Sequence, residues 1–234
     1  MNNRFLAHIA NLINELDEHQ QDNIDKASNL MADCLMNNGI IQAFGSGHSY
    51  GAAIEIVERA GGLFATKLIK DPALGVYESV EGVGKILMRK VDVRPEDVVV
   101  IISYSGRNPV SIEVAEIVKE KGAKIIAVTS LNASKNLKSR HSSGKLLYEL
   151  ADSVLDMMGV DGDAAMKVEP LPAKICPASS VAAAALIQAT ILSTVEKMIA
   201  KGSVPDIRIS ANLDGGIERS IAMQGKYAER IHRI

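Results

Sequence analysis

The strongest constraint on what this chain can fold into is a unit that recurs along it: a short apolar run, a loop rich in Gly and Ser, then a helix. Ile40-Ile41-Gln42-Ala43-Phe44 is followed at once by Gly45-Ser46-Gly47-His48-Ser49 and a helical segment, Tyr50 to Ala60, closed by Gly61-Gly62. Asp97 to Ile102 leads into Ser103-Tyr104-Ser105-Gly106-Arg107-Asn108, with Pro109 at a first-turn position and a helix through Lys121. Lys124 to Val128 makes a third strand that runs into Thr129-Ser130, and Ser153 to Met157 a fourth. Such alternation predicts an α/β fold: a parallel sheet covered by helices on both faces, with right-handed crossovers.

The flanks are helical. Leu6, Ile9, Leu12, Ile13 and Leu16, then Ile24, Ala27, Leu30, Met31 and Leu35, return at helical spacing. The polar break Asp17 to Asp22 divides them into two helices or one bent helix. Asn37-Asn38-Gly39 supplies a left-handed stop, the glycine taking the positive φ. Ala178 to Lys201 reads as a long Ala-rich helix, Asp161 to Pro177 as loop, and Ile217 to Arg233 as a last helix. The 234 residues suit one large α/β domain.

Composition narrows the class of function. A formal net charge of −2, no Trp and few aromatics leave neither a basic footprint nor a stacking platform, so no nucleic-acid partner is expected. The apolar stretch Val181 to Val195 is interrupted by Gln188, Thr190, Ser193 and Thr194 and falls short of the ~20 residues of a bilayer span. It predicts a buried helix and no membrane partner. Met1 to Leu16 lacks the apolar core of a signal peptide, and two cysteines, Cys34 and Cys176, make no disulfide framework, so a cytoplasmic location is expected. Cys34 reads as core, and Cys176, before Pro177, as a small buried filler. His8, His19 and His232 have no neighbour at metal-ligand spacing.

In an open parallel sheet, ligands bind beyond the carboxyl ends of the strands. Gly47 there lets backbone approach a ligand, Ser46, Ser49, Ser103 and Ser105 offer hydroxyls, and Gly106 and Asn108 precede a helix start whose N–H groups are unpaired. Two such helix starts facing one cleft make an oxyanion site without Lys or Arg, and Ser130 joins them at the third loop. The ordinary alternative is that Ser and Asn only cap their helices. There is no Gly-x-x-x-x-Gly-Lys-Ser/Thr, and Gly45-x-Gly47 lacks the third glycine of the dinucleotide fingerprint, so no nucleotide cofactor is expected.

Phe44-Gly45-Ser46-Gly47-His48-Ser49 and Ile102-Ser103-Tyr104-Ser105-Gly106-Arg107-Asn108, with Glu113 after it, resemble the sugar isomerase (SIS) domain family. The resemblance covers roughly Ile40 to Lys201. It implies a three-layer fold with a five-stranded parallel sheet flanked by helices, one SIS domain over 1–234 made of an N-terminal helical pair (1–38), a core (39–201) and a C-terminal segment (202–234). It also implies a small phosphorylated sugar as ligand, with Ser46, Ser49, Ser103, Ser105 and Asn108 on phosphate-loop positions, and a homodimer or homotetramer, because SIS sites often borrow residues across subunits. With Ser139-Arg140-His141-Ser142-Ser143-Gly144-Lys145 and Ser210 to Gly216, the whole chain is similar to a bacterial single-SIS group sometimes labelled phosphoheptose isomerase. Phosphoheptose isomerases place His and Glu zinc ligands on the helix after the first loop. Here Glu55 and Arg59 stand at those positions, so no metal is expected.

Aldose–ketose isomerisation needs a base near the substrate and a second group for oxygen-bound protons. Glu55, on the helix after the first loop, is the candidate base ahead of Glu58, and His48 and His141 are candidate proton carriers. Lys145 could neutralise ligand charge. An isomerase, a lyase or etherase of an amino-sugar phosphate, and a noncatalytic phosphosugar sensor or assembly protein all stay open.

Overall fold

The computed structural model describes residues 3–231. The helical pair comes first: α1 (Arg4–His19), N-capped by Asn3, and α2 (Gln21–Met36), with Gln20 as the break between them. There follow β1 (Ile41–Gly45), α3 (Ser49–Ile54), β2 (Thr66–Ile69), α4 (Val83–Met88), β3 (Val98–Ile102) and α5 (Pro109–Glu120). The rest is β4 (Lys124–Thr129), α6 (Leu131–Lys135), α7 (Leu147–Leu150), β5 (Ser153–Asp156), β6 (Ala164–Met166), β7 (Ile175–Pro177), α8 (Ser179–Ala200) and α9 (Gly216–Ile231).

Five strands form one parallel sheet in the order β2-β1-β3-β4-β5. The runs of consecutive apolar residues in β1 and β3 are explained by their burial on both faces. Along β3, Val98, Val100 and Ile102 face one core with Ile41, Ala43, Ile126 and Val128, closed by Leu16, Met31, Leu186 and Ile187 of α1, α2 and α8. Val99 and Ile101 face the other core with Phe44, Ile125 and Ala127, closed by Met88, Ile112, Val118 and Leu150 of α4, α5 and α7. The period of two along a strand thus separates two layers of helices. The three-layer α/β architecture expected for an SIS-type fold is the one observed.

The chain leaves β1 toward β2 and returns to β3 on the other side of β1, so β1 and β3 flank the point where strand order reverses. Gly45 is in register with Ile102, and Ile102 with Val128. The first two Gly/Ser loops therefore leave the sheet side by side.

Several expected boundaries change. The fifth strand, β2, is a short edge strand whose Thr-Lys-Leu-Ile carries too little periodicity to be picked out. The helix expected from Tyr50 to Ala60 stops at Ile54: the amides of Glu55, Ile56 and Val57 bond three residues back, to Ala52, Ala53 and Ile54, and Ile56 turns into the core. Asn38, at φ 60°, takes the left-handed position expected of Gly39. Gly39 is needed for space instead, since a Cβ there would strike the Glu96 carbonyl and Cys34 Sγ. The stretch read as loop before Pro177 contains the antiparallel pair β6–β7, with Met166 opposite Ile175.

α8 runs 22 residues, beyond the interrupted stretch first bounded, and is long and apolar enough to cross a membrane by length and composition alone. It packs instead along α2, with Ala182, Ala183, Leu186, Ile187 and Ile191 in the core. Cys34 is buried, which pushes its thiol up to about 12, whereas Cys176 is half-exposed at φ 61°. α9 lies against the opposite end of the sheet from the Gly/Ser loops. Its Tyr227 stacks on Phe64 at 5.4 Å, and Arg230 reaches Asp97 at 2.7 Å. His232 lies outside the described residues.

Candidate functional site

The second loop turns around Gly106, at φ +59°, so that successive amides after Ser103 sit in a tight concave turn before α5. Among the described residues the amides of Ser105, Gly106, Arg107 and Asn108 donate to no protein acceptor, and neither do the hydroxyls of Ser103 and Ser105. Asn108 is the N-cap residue of α5, yet its side chain makes no capping bond and accepts from Arg140 at 3.1 Å. Here the capping alternative fails. A Cβ at Gly106 would press on Leu147, Ser134 and Thr129 at 3.2–3.3 Å, so both its φ and its surroundings require glycine.

The first loop has the same character. Gly47 is at φ +57°, the amides of Gly47 and His48 have no protein acceptor, and the Ser49 hydroxyl has no partner among the described residues. His48 is exposed at the start of α3 and makes no side-chain cap. Ser46 is buried and donates to the buried carboxylate of Asp71 at 2.7 Å.

Ser130 stands apart. It is fully buried, donates to the Gly159 carbonyl (3.2 Å) and accepts from Ala133 N (3.3 Å), so it does cap its helix. Its neighbours hook the third loop onto the second: Ser130 N and Thr129 Oγ1 both donate to the Tyr104 carbonyl. Tyr104 itself donates to the Val160 carbonyl, and burial pushes its hydroxyl up to about 12.

The two remaining candidates for proton transfer have their printed partners outside the loop serines. Glu55 lies just past the end of α3, half-buried, with its carboxylate 2.6 Å from the Arg59 guanidinium and its carbonyl accepting from Gln188. Arg59 thus pairs with Glu55 at the two positions that the resemblance would give to metal ligands, and no group of three or more His, Cys, Asp or Glu that could hold a metal occurs among the described residues. The donor set does not fit the zinc of that resemblance. His141 is buried, with Nδ1 2.7 Å from Ser143 Oγ and Nε2 3.8 Å from Glu113 and 3.9 Å from Glu81. Its neighbour Arg140 bonds the second loop through its amide to the Arg107 carbonyl. Arg140 thus ties this segment to the second loop, with the buried His141 beside it in sequence. Lys145 is exposed nearby.

Sequence reasoning missed the segment 71–84, which straps across both loops. Asp71 accepts from Ser46, Ala73 N and Gly75 N. Gly75 lies so close to Gly47 that a side chain on it would strike that backbone. The Glu78 carbonyl accepts from Val110 N in the first turn of α5 at 3.3 Å, and Glu81 accepts from both the amide and the hydroxyl of Ser142, which hold its carboxyl below the ordinary value. Glu113, 1 % exposed, accepts from Gly82 N and Gly84 N. Glu113 was visible after the second loop; the others lie in a stretch without periodicity.

This architecture has relatives. The model of the SIS domain matches residues 4–130. A UPF0309 protein of Listeria monocytogenes is 52% identical over 223 residues, covering 95% of both chains, and one of Geobacillus kaustophilus is 38% identical over 91% of this chain and 88% of its own. Among solved structures, the phosphoheptose isomerase GmhA of Neisseria gonorrhoeae superposes with a TM-score of 0.56 at 22% identity, over 81% of this chain and 94% of its own. A phosphoheptose isomerase of Francisella tularensis does so with the same TM-score and coverage at 14% identity. At those identities the structures speak for the fold; the domain model and the near full-length relatives speak for descent, and the chain belongs to the SIS domain family.

Proposed function

We propose that this protein binds the phosphate of a small phosphorylated sugar between Gly47–Ser49 and Ser103–Asn108, and interconverts aldose and ketose forms there. The observation that carries the reading is the cluster of uncommitted donors at the second loop: four successive amides and the hydroxyls of Ser103 and Ser105, set at the start of the 12-residue α5. A phosphate satisfies such donors and gains from the helix field. The Ser49 hydroxyl and the amides of Gly47 and His48 extend the same surface. That the fold neighbours are described as phosphoheptose isomerases supports a phosphosugar over other phosphates.

Calorimetry with fructose 6-phosphate and sedoheptulose 7-phosphate, each beside its dephosphorylated sugar, tests the reading. The phosphorylated forms are expected to bind and the free sugars to bind poorly; equal binding of both rejects a phosphate site. A noncatalytic phosphosugar sensor is the second reading, favoured by the pairing of Glu55 with Arg59, which occupies the carboxylate expected to act as base. Hydrogen–deuterium exchange at the ligand carbon next to the carbonyl separates the two, because only an enzyme exchanges it.

A homodimer or homotetramer belongs to the same proposal. Leu6 on α1 and Val181, Leu192 and Ile199 on α8 expose 66%, 39%, 60% and 56% of their surface, a helical face that a second copy would cover. Light scattering at working concentration should give a mass above 25.0 kDa, and a monomer counts against it.

A further inference from the structure

We propose that Glu78, on the strap between the two loops, is the carboxylate that takes and returns the proton at the sugar carbon next to the carbonyl. The proposal rests on the phosphosugar reading above and assigns to that site a residue outside its motifs.

The other carboxylates of the strap, and those of α5 and of the end of α3 that lie beside the loops, are engaged. Asp71 accepts three hydrogen bonds, Glu81 accepts two from Ser142, Glu113 accepts two from the glycine amides at 82 and 84, and Glu55 is paired with Arg59. Glu78 differs. Its backbone is anchored, the amide donating to the Gly75 carbonyl (3.1 Å) and the carbonyl accepting from Val110 N, while its carboxylate has no partner among the described residues. That carboxylate also faces the first loop, since a Cβ placed on Gly47 would lie 3.6 Å from Glu78 Oε2. One residue thus faces the turn of the first loop with its side chain and bonds the start of α5 with its backbone. Glu55, six residues beyond Ser49, is about 9 Å along the helix direction from the same loop.

The step balances without a co-reactant. Glu78 removes the C–H proton, the bonding pair becomes the C=C of an enediol as the carbonyl pair moves to oxygen and is protonated, and return of the proton to the neighbouring carbon regenerates a carbonyl one position along. One carbon is oxidised as its neighbour is reduced. His48, exposed on the first loop, is placed to relay the oxygen-bound proton.

The test compares Glu78→Gln with Glu55→Gln in the full chain, using fructose 6-phosphate and sedoheptulose 7-phosphate in deuterated water followed by NMR, and inorganic phosphate followed by calorimetry at low salt. Glu78→Gln keeps the backbone bonds, so the fold is expected to persist. Exchange should fall ~100-fold or more in Glu78→Gln and stay within a few-fold of wild type in Glu55→Gln. Inorganic phosphate should bind roughly threefold tighter or better to Glu78→Gln, because a like charge beside the anion is gone, and unchanged to Glu55→Gln. Retained exchange in Glu78→Gln overturns the assignment, as does unchanged phosphate affinity. Wild type that binds the ketose phosphates but exchanges no deuterium also overturns it while leaving the binding site standing, whereas wild type that binds neither rejects the phosphosugar reading itself.

Discussion

The two ends of the same sheet treat polar groups in opposite ways. At the end where strands begin, the fully buried Asp97 accepts from Ile40 N, Gln42 Nε2, Arg94 N and the Arg230 guanidinium, and Asp92 and Glu96 lie 3.4 and 3.7 Å from the same arginine. That carboxylate is fully engaged, and the result is a clamp that fastens α9 to strands more than a hundred residues earlier. At the end where strands finish, several amides and hydroxyls of the first two loops have no protein partner among the described residues. The folding chain could have capped them, as it did at Ser130. Polar groups that hold the fold together can therefore be told apart from those the proposal assigns to a ligand by whether their hydrogen bonds close within the chain.

The largest expected effect of breaking this contrast is on stability at the clamp. Arg230→Met should cost about 3 kcal/mol in urea unfolding, the low end for stranding a buried charge, because three other donors still serve Asp97. A change below about 0.5 kcal/mol would mean that the clamp is ornamental to the fold. Next comes Ser103→Ala with Ser105→Ala, which should leave unfolding nearly unchanged while reducing phosphosugar affinity at least tenfold, as hydrogen bonds to a charged group are worth ~1.5–3 kcal/mol each. Equal affinity by calorimetry would erase the contrast from the ligand side.

The smallest effect concerns pH at the α9 anchor. Burial alone raises Asp206, but the bonds from Lys226 and Tyr227, both 2.6 Å, outweigh it and hold the carboxyl below its ordinary value. A lowered folded pKa means stabilisation that is full above the unfolded value and lost as pH falls through the folded one. Protection of the α9 amides, taken relative to intrinsic exchange at each pH, should therefore fall only under acid, and Asp206→Asn should remove that acid-dependent loss; an identical protection profile in the variant would detach the anchor from this carboxylate.

The sequence made the loop end more legible than the clamp. Consecutive apolar runs such as Val98 to Ile102 can be satisfied only inside a covered sheet, and a glycine between serines at the end of such a run marks a place where backbone turns toward a ligand. Both signals are local. Asp97 and Arg230 are bonded across 133 positions, and nothing near either residue names the other. β2 was missed because an edge strand of four residues, with Lys67 inside it, carries neither a full apolar run nor clean alternation. The extent of α3 was misjudged because Ala52 to Ala60 looks helical until the core claims Ile56. Glu78 is one of 28 acidic residues and has no motif; its significance arises only when the strap brings it against Gly47.

The bond from Ser46 to Asp71 fixes the polarity of one spot in the first loop. A serine hydroxyl owns a single hydrogen, and here the carboxylate has it. What remains on Ser46 Oγ is lone-pair density, which in the proposed site would repel phosphate oxygens and favour a group that arrives with its own proton. Although Ser46 sits in the same loop as Gly47 and Ser49, in the proposed site it would suit the opposite chemistry: a sugar hydroxyl, oriented with its hydrogen toward the protein. A ligand deoxygenated at that one position would lose this contact alone, with its phosphate still seated.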